Sequence, residues 1–353
     1  MTSTAEPNQQ DNTDAYFDRI ADYGLTPLWS RYKTLMSPQP RVKSVPCCWH
    51  YTKIRELLVE AAELITSEDA ERRVLLLENP GLPGTDQITE TLLTGLQMIL
   101  PDEVAPSHRH IPSDARLILE GVDGAFTTVE GERLQMDFGD FIITPNWTWH
   151  DHGHCGDKPV VWQDILDIPL ARALGPMFFE NYPELIHPRG QPDDDSIRRY
   201  GANMRPIGIE PDTSMFSPML RYTYGQSRAS VEALASTDDL DPHFGTRMEY
   251  INPTTGGSAM ATISVCLQRL PRLFKTRPYQ TTEGTIITCI EGSGNATVGE
   301  GENSRSFEFG KRDIFVVPCW YPYTVEVQDD TYLFVSSDKV VQTKLGYWRE
   351  EKH

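Results

Sequence analysis

Apolar residues recur at helical spacing near the start of the chain and at strand spacing over most of the rest. Ile54, Leu57, Leu58, Ala61, Ala62 and Ile65 follow Tyr51-Thr52 at the spacing of a helix that buries one face. The pattern changes at Val74-Leu75-Leu76-Leu77, closed by Asn79-Pro80-Gly81, and at Leu92 to Leu100, closed by Pro101-Asp102. Short apolar runs bounded by turn residues predict buried strands. Strand-and-turn patterning continues to about Ile168, and a proline- and aspartate-rich connector follows to about Pro218. Helix resumes near Ser227–Ser236, and a second strand-rich block fills Met260 to Asp338. These signals predict an all-β core with a helical N-terminal segment. The expected divisions are a disordered 1–15, a helical 16–68, a first β domain over 69–170, a connector with helix over 171–255, and a second β domain over 256–345.

The second block repeats the first. Glu120-Gly121 followed by Phe138-Gly139-Asp140-Phe141-Ile142-Ile143-Thr144-Pro145-Asn146-Trp147 corresponds to Glu291-Gly292 followed by Phe309-Gly310-Lys311-Arg312-Asp313-Ile314-Phe315-Val316-Val317-Pro318-Cys319-Trp320. Two copies of one strand-and-turn frame point to duplication of a single barrel.

Candidate chemistry sits in the first copy. His108 and His110 are one residue apart, so on a strand they project to the same face, with Arg109 opposite. If hairpin pairing brings His150 across to them, three neutral imidazoles converge. Three such ligands with positions left open suit a non-haem ferrous ion better than a closed structural site. Alignment of the copies places Tyr279 opposite His108, Thr281 opposite His110 and Tyr323 opposite His150, so the second barrel is expected to lack metal ligands.

Composition narrows the partners. With 51 acidic against 32 basic residues the formal charge is -19, which argues against nucleic acid or an anionic membrane as partner. The same charge opposes small anions, so an acidic substrate needs locally placed arginines. No run approaches the ~18–20 apolar residues that span a bilayer, and the polar start has no secretory pattern. The six cysteines show no disulfide or zinc spacing, as in a reduced cytosolic protein.

The chain resembles the bicupin ring-cleaving dioxygenases of the gentisate 1,2-dioxygenase family, which includes enzymes acting on salicylate, substituted salicylates and 1-hydroxy-2-naphthoate. The resemblance rests on Glu71-Arg72-Arg73-Val74-Leu75, Gly95-Leu96-Gln97, His108-Arg109-His110, Arg116-Leu117-Ile118-Leu119-Glu120-Gly121, Gly139-Asp140-Phe141-Ile142-Ile143-Thr144-Pro145 and Trp147-Thr148-Trp149-His150-Asp151-His152-Gly153, together with Trp162-Gln163-Asp164 through Asp167-Ile168-Pro169. It implies two cupin barrels, a cytosolic homotetramer, and Fe(II) held by His108, His110 and His150. It also implies a small aromatic acid and dioxygen as reactants. Gentisate opened between its carboxyl- and hydroxyl-bearing carbons to maleylpyruvate is the default reaction. Salicylate, a 5-substituted salicylate or 1-hydroxy-2-naphthoate is the alternative within the class. A non-oxidative metal cupin, an isomerase or small-acid binder, is the alternative outside it.

Strand parity from His110 puts Arg116 inside the barrel, where an arginine needs an anion: a substrate carboxylate or an internal partner. The family spacing points to Arg72, rather than Arg73, as a second carboxylate clamp, and to Gln97 as a hydrogen-bond donor to substrate. His152 shares the face of His150 and is the candidate for proton handling at the substrate hydroxyl. His154 reads as structural, and Asp164 and Asp167 as supports of the barrel interior. Asp114 departs from the family pattern. It stands as a fourth ligand, an ion-pair partner of Arg116 or a residue turned away, with the ion pair favoured. Leu93, where relatives often carry Tyr or Trp, reshapes the substrate pocket.

Overall fold

Alternating apolar runs become strands that are buried on both faces. In strand Asp114–Glu120, Ala115, Leu117 and Leu119 enter one core while Ile118 enters another, so nearly every position is buried. The computed structural model describes residues 9–66, 70, 72–208, 215–237 and 239–353, with side chains from residue 12 onward. By internal contacts it forms two units, 1–41 and 42–353. The first contains helices Gln9–Ala21 and Leu28–Leu35. Disorder predicted over 1–15 therefore gives way to helix from Gln9; residues 1–8 lie outside the described residues. Once Tyr16, Phe17 and Ile20 set a helical turn, extension through the polar 9–15 needs only one residue at a time.

Among the described residues of the second unit there are two six-stranded and two five-stranded sheets. In the first barrel, one sheet runs in the order Arg221–Tyr222, Phe141–Thr144, Asp114–Glu120, Val160–Leu166, Leu93–Ile99, Val74–Leu76. It faces a sheet ordered Phe179–Asn181, Val104–His110, His150–His154, Ala125–Val129, Glu132–Gln135. The second barrel repeats this. Its larger sheet is Cys47–Trp49, Ile314–Val317, Thr285–Glu291, Thr331–Ser337, Ser264–Leu270, Thr246–Glu249. Its smaller sheet is Arg305–Phe309, Gly294–Val298, Tyr323–Val327, Tyr279–Thr281, Glu350–Lys352. The pairings given for these sheets are antiparallel, and the chain is a bicupin.

The outer faces of the two larger sheets share one core, in which Leu96, Met98, Leu117 and Phe141 meet Val265, Leu267, Ile286 and Phe334. Each barrel has its own interior, built around Ile118, Ile142 and Trp162 in the first and Ile287, Phe315 and Leu333 in the second.

The boundaries drawn from the sequence miss a crossover. Residues 47–49 and 221–222, read as helical region and connector, are edge strands. Cys47–Trp49 extends the second barrel at Ile314–Val317, and Arg221–Tyr222 extends the first at Phe141–Thr144. A helix follows each, Tyr51–Leu64 and Tyr224–Thr237. Asp313 Oδ1 accepts the Tyr51 backbone N–H, and Asp140 Oδ1 accepts that of Tyr224, both at 2.8 Å. The aspartate of each repeat therefore anchors a helix N-terminus, where its charge is favourable. Gly139 (φ 81°) and Arg312 (φ 70°) supply the left-handed turn just before these aspartates. The glycine is obligatory, because a Cβ there would lie 2.5 Å from the Tyr224 ring.

Candidate metal and substrate site

The strands Val104–His110 and His150–His154 pair so that His108 stands opposite His150. An irregularity between Ala105 and His108 re-aims the end of the first strand. Ring centroids are then 4.1 Å apart for His108 and His150, 4.9 Å for His110 and His150, and 5.3 Å for His108 and His110. One nitrogen from each lies within 4.8 Å of the others. The strand alternation and the third histidine meet as the sequence spacing requires.

Each imidazole is held by its other nitrogen. The Nδ1 atoms of His108, His110 and His150 lie 3.1, 2.6 and 3.0 Å from the carbonyl oxygens of Pro106, Pro112 and Thr148. In His110 and His150 a proton on Nδ1 donates to the carbonyl and leaves Nε2 as the lone-pair nitrogen, the arrangement that metal-binding histidines use; at His108 the Arg72 guanidinium, a donor, approaches the same Nδ1. Burial, the largest cause, disfavours the imidazolium form in all three, and His108 is pulled down to about 2 with Arg72 and His110 adding to the effect. Three neutral, oriented imidazoles without a carboxylate among them fit a divalent transition metal with open positions.

Asp114 does not join them. Arg116, fully buried, donates through Nη2 to Asp114 Oδ2 and through Nε to Asp164 Oδ1 at 2.7 Å, with Nη1 3.3 Å from Thr144 Oγ1. Asp164 also accepts from Trp162 Nε1 at 2.9 Å. Of the alternatives for Asp114, the ion pair is the one present. Burial pushes its carboxyl well above the usual range, only partly offset by Arg116. Of the two anions expected for Arg116, the internal one is present: two carboxylates occupy its Nε and Nη2 edges, which leaves Nη1 on Thr144.

Arg72 and Arg73, which lie just before strand Val74–Leu76, point to different places. Arg72 Nη2 lies 2.6 Å from His108 Nδ1 and 3.2 Å from the Pro106 carbonyl, beside the histidine cluster. Arg73 is buried against Glu103 and the Ala62 carbonyl. Glu71 of the same motif lies outside the described residues. Gln97, on the face of Leu93 and Ile99, is 2% exposed, and among the described residues its Nε2 has no hydrogen-bond partner. An orphaned amide donor inside the barrel is costly unless a ligand accepts from it. Leu93 is buried on that face and adds no polar group.

His152 is buried, with Nδ1 3.0 Å from Thr127 Oγ1 and its ring 5.0 Å from Trp162 and 6.0 Å from His150. Burial first, then the charge of Arg116, holds it neutral. His154 bonds the Lys158 carbonyl and accepts from Gly156 N–H at 3.2 Å, a local turn. Asp167 ties the barrels, accepting from Ser113 N–H at 2.8 Å and Thr262 Oγ1 at 2.6 Å.

Some neighbours had no sequence signal. Phe179 pairs opposite His110 and places its half-exposed ring 5.5 Å from His108. The connector composition hid that short strand. The two tryptophans of the Trp147-Thr148-Trp149 run sandwich Arg109, 4.4 Å from each ring, and Arg109 pairs with Glu180 beside Phe179.

Comparison with known proteins follows the same lines. Residues 95–169 match the cupin domain family. The chain is 42% identical over 353 residues to gentisate 1,2 dioxygenase 1 of Aquipseudomonas alcaligenes, covering 100% of both chains. It is 32% identical to a 5-aminosalicylate 1,2-dioxygenase of a Comamonas species, over 98% of this chain and 91% of that protein. Its structure matches a salicylate 1,2-dioxygenase of Pseudoaminobacter salicylatoxidans, solved with gentisate, at a TM-score of 0.90 and 28% identity, over 100% of this chain and 97% of that one.

Proposed function

This chain belongs to the gentisate 1,2-dioxygenase family of ring-cleaving dioxygenases, and from that membership we propose that its first barrel holds Fe(II) and opens gentisate to maleylpyruvate. The observation that carries the proposal is the trio of carbonyl-anchored imidazoles, His108 and His150 buried and His110 half-buried, beside Arg72 and the orphaned Gln97 amide. His108, His110 and His150 hold the ion, which when bound supplies Lewis acidity and one-electron chemistry toward dioxygen. Both oxygen atoms enter the product, and the bond between the carboxyl-bearing and hydroxyl-bearing ring carbons breaks.

The protein's own contribution is placement. Arg72 receives the substrate carboxylate, and Gln97 Nε2 donates to its carboxylate or hydroxyl oxygen. Arg116 assists through Nη1, the edge facing only a long contact to Thr144. His152, neutral and steadied by Thr127, accepts the hydroxyl proton as the ring binds. Leu93 and Phe179 exclude water from the ring face. Held this way, substrate and oxidant react as partners within one site rather than by encounter.

A second reading, salicylate, a 5-substituted salicylate or 1-hydroxy-2-naphthoate as substrate, draws on Leu93. That side chain offers no hydrogen bond to a further ring hydroxyl, so the site asks only for a carboxylate with an adjacent hydroxyl. The six cysteines are free thiols, and no described helix is long and apolar enough to cross a membrane, which support a cytosolic setting. A homotetramer is part of the same proposal. The test is oxygen uptake by iron-reconstituted protein offered these acids singly. Uptake fastest with gentisate supports the first reading, and uptake confined to another of the acids supports the second. A non-oxidative isomerase or binding protein would take up none.

A further inference from the structure

The second barrel keeps the geometry of the metal site with different side chains. Tyr279 pairs with Tyr323 across the ladder as His108 pairs with His150. Trp320 N–H donates to the Thr281 carbonyl at 2.6 Å, as Trp147 N–H donates to that of His110 at 2.7 Å. Both tryptophans adopt the same left-handed backbone, at φ 64° and 60°. At the place of the histidines lies a cavity of about 30 Å³, lined by Tyr279, Thr281 and Tyr323 with Arg247, Glu283 and Lys339. That is space for roughly two waters, or a ligand of a few heavy atoms.

Cations outnumber anions in its lining. Arg247 Nε and Nη2 donate to Gln268 Oε1 at 2.9 and 2.6 Å, and Nη2 also reaches the Tyr323 hydroxyl at 3.1 Å. These hydrogen-bond partners are neutral. The guanidinium also lies 5.0 Å over the Phe244 ring, and Glu283 acts on it through space rather than as a hydrogen-bond partner. The Lys339 ammonium rests 4.5 Å from the Trp348 ring. Glu283, the single carboxylate of the lining, accepts from the Ser337 hydroxyl. The lining thus contributes two basic residues, Arg247 and Lys339, and one carboxylate, Glu283, in a site partly withdrawn from solvent, where charges require partners. A planar oxyanion meets the requirement, because it can take the guanidinium and the ammonium together.

We infer that the second barrel is an anion site: its cavity binds a small carboxylate between Arg247 and Lys339, where the first barrel holds its histidines. The occupant bridges strand Thr246–Glu249, which carries Arg247, and helix Lys339–Leu345 at its Lys339 end. Binding therefore stabilises the second barrel by mass action. Substrate-sized aromatic acids are excluded by volume.

The test is thermal unfolding of the full chain titrated with sodium acetate, ionic strength held constant with sodium chloride. The wild type should show a saturable rise in melting temperature with acetate, and any rise with benzoate should be lost in Arg72→Met, as binding in the first barrel requires. Arg247→Gln should weaken the apparent acetate affinity by about tenfold or more, the loss of a charged hydrogen-bond pair. Arg72→Met, which alters only the first barrel, should leave the acetate response intact. No acetate response in the wild type, or a response lost in Arg72→Met and kept in Arg247→Gln, would overturn the inference. Should Arg247→Gln fail to fold, Lys339→Gln carries the test: a weakened acetate response supports the site, and an unchanged one overturns it.

Discussion

Arg116→Met is the substitution that most sharply separates structural from substrate-binding roles in the first barrel. It removes a fully buried guanidinium that holds Asp164 at 2.7 Å and also holds Asp114. Removing one partner of a buried ion pair costs about 3–5 kcal/mol. Asp164 keeps its bond from Trp162 Nε1, which places the cost near about 3 kcal/mol, or roughly a hundredfold in the folding equilibrium. Asp114→Asn should behave differently. Burial raises the Asp114 carboxyl, so the folded chain holds a proton there that the unfolded chain releases at lower pH. The native state thus binds more protons across that window, and wild-type stability falls as pH rises through it. Asparagine lacks this dependence, so the stability of Asp114→Asn relative to wild type should improve as pH rises from about 4 toward neutrality. Urea unfolding at acidic and neutral pH measures both effects. An Arg116→Met loss below about 1 kcal/mol, the range of an exposed pair, would refute the buried-triad argument. So would a relative stability of Asp114→Asn that declines as pH rises.

Other substitutions test separate parts of the site. His150→Ala should reduce bound iron from one equivalent per chain to nearly none; iron persisting at half of a two-equivalent content would place a second metal in the C-terminal barrel. Arg72→Met should raise KM for carboxylated substrates by about tenfold or more with little change in the urea midpoint, since it loses a charge-assisted contact; an unchanged KM would make Arg72 structural. Asp313→Ala should lose about 1 kcal/mol through the Tyr51 helix N-terminus, and an unaffected urea midpoint would show that this anchor contributes nothing.

The metal cluster was legible because two local rules sufficed. Strand parity set His108 beside His110, and the repeated glycine–aspartate–proline frame marked the strand leading to His150. The duplication was equally readable, since the register pairing Tyr279 with Tyr323 follows from alignment of the two copies. Arg116 was harder. Parity gave its direction into the barrel, but its occupancy by Asp164 depends on a residue 48 positions away on the neighbouring strand. The crossover was hidden for the same reason. Cys47–Trp49 is too short to show a period, and its partner Ile314–Val317 lies in the other repeat. Phe179 sits in a stretch whose composition reads as connector, and only pairing with His110 makes it a strand.

The central claim is oxidative ring opening at the three-histidine site, and isotope labelling of a single turnover tests it most directly. Iron-loaded protein mixed with gentisate under ¹⁸O₂ should yield a ring-opened acid carrying both labelled atoms, with no product from His150→Ala. An intact ring despite bound iron, or a product without label from dioxygen, would contradict the account.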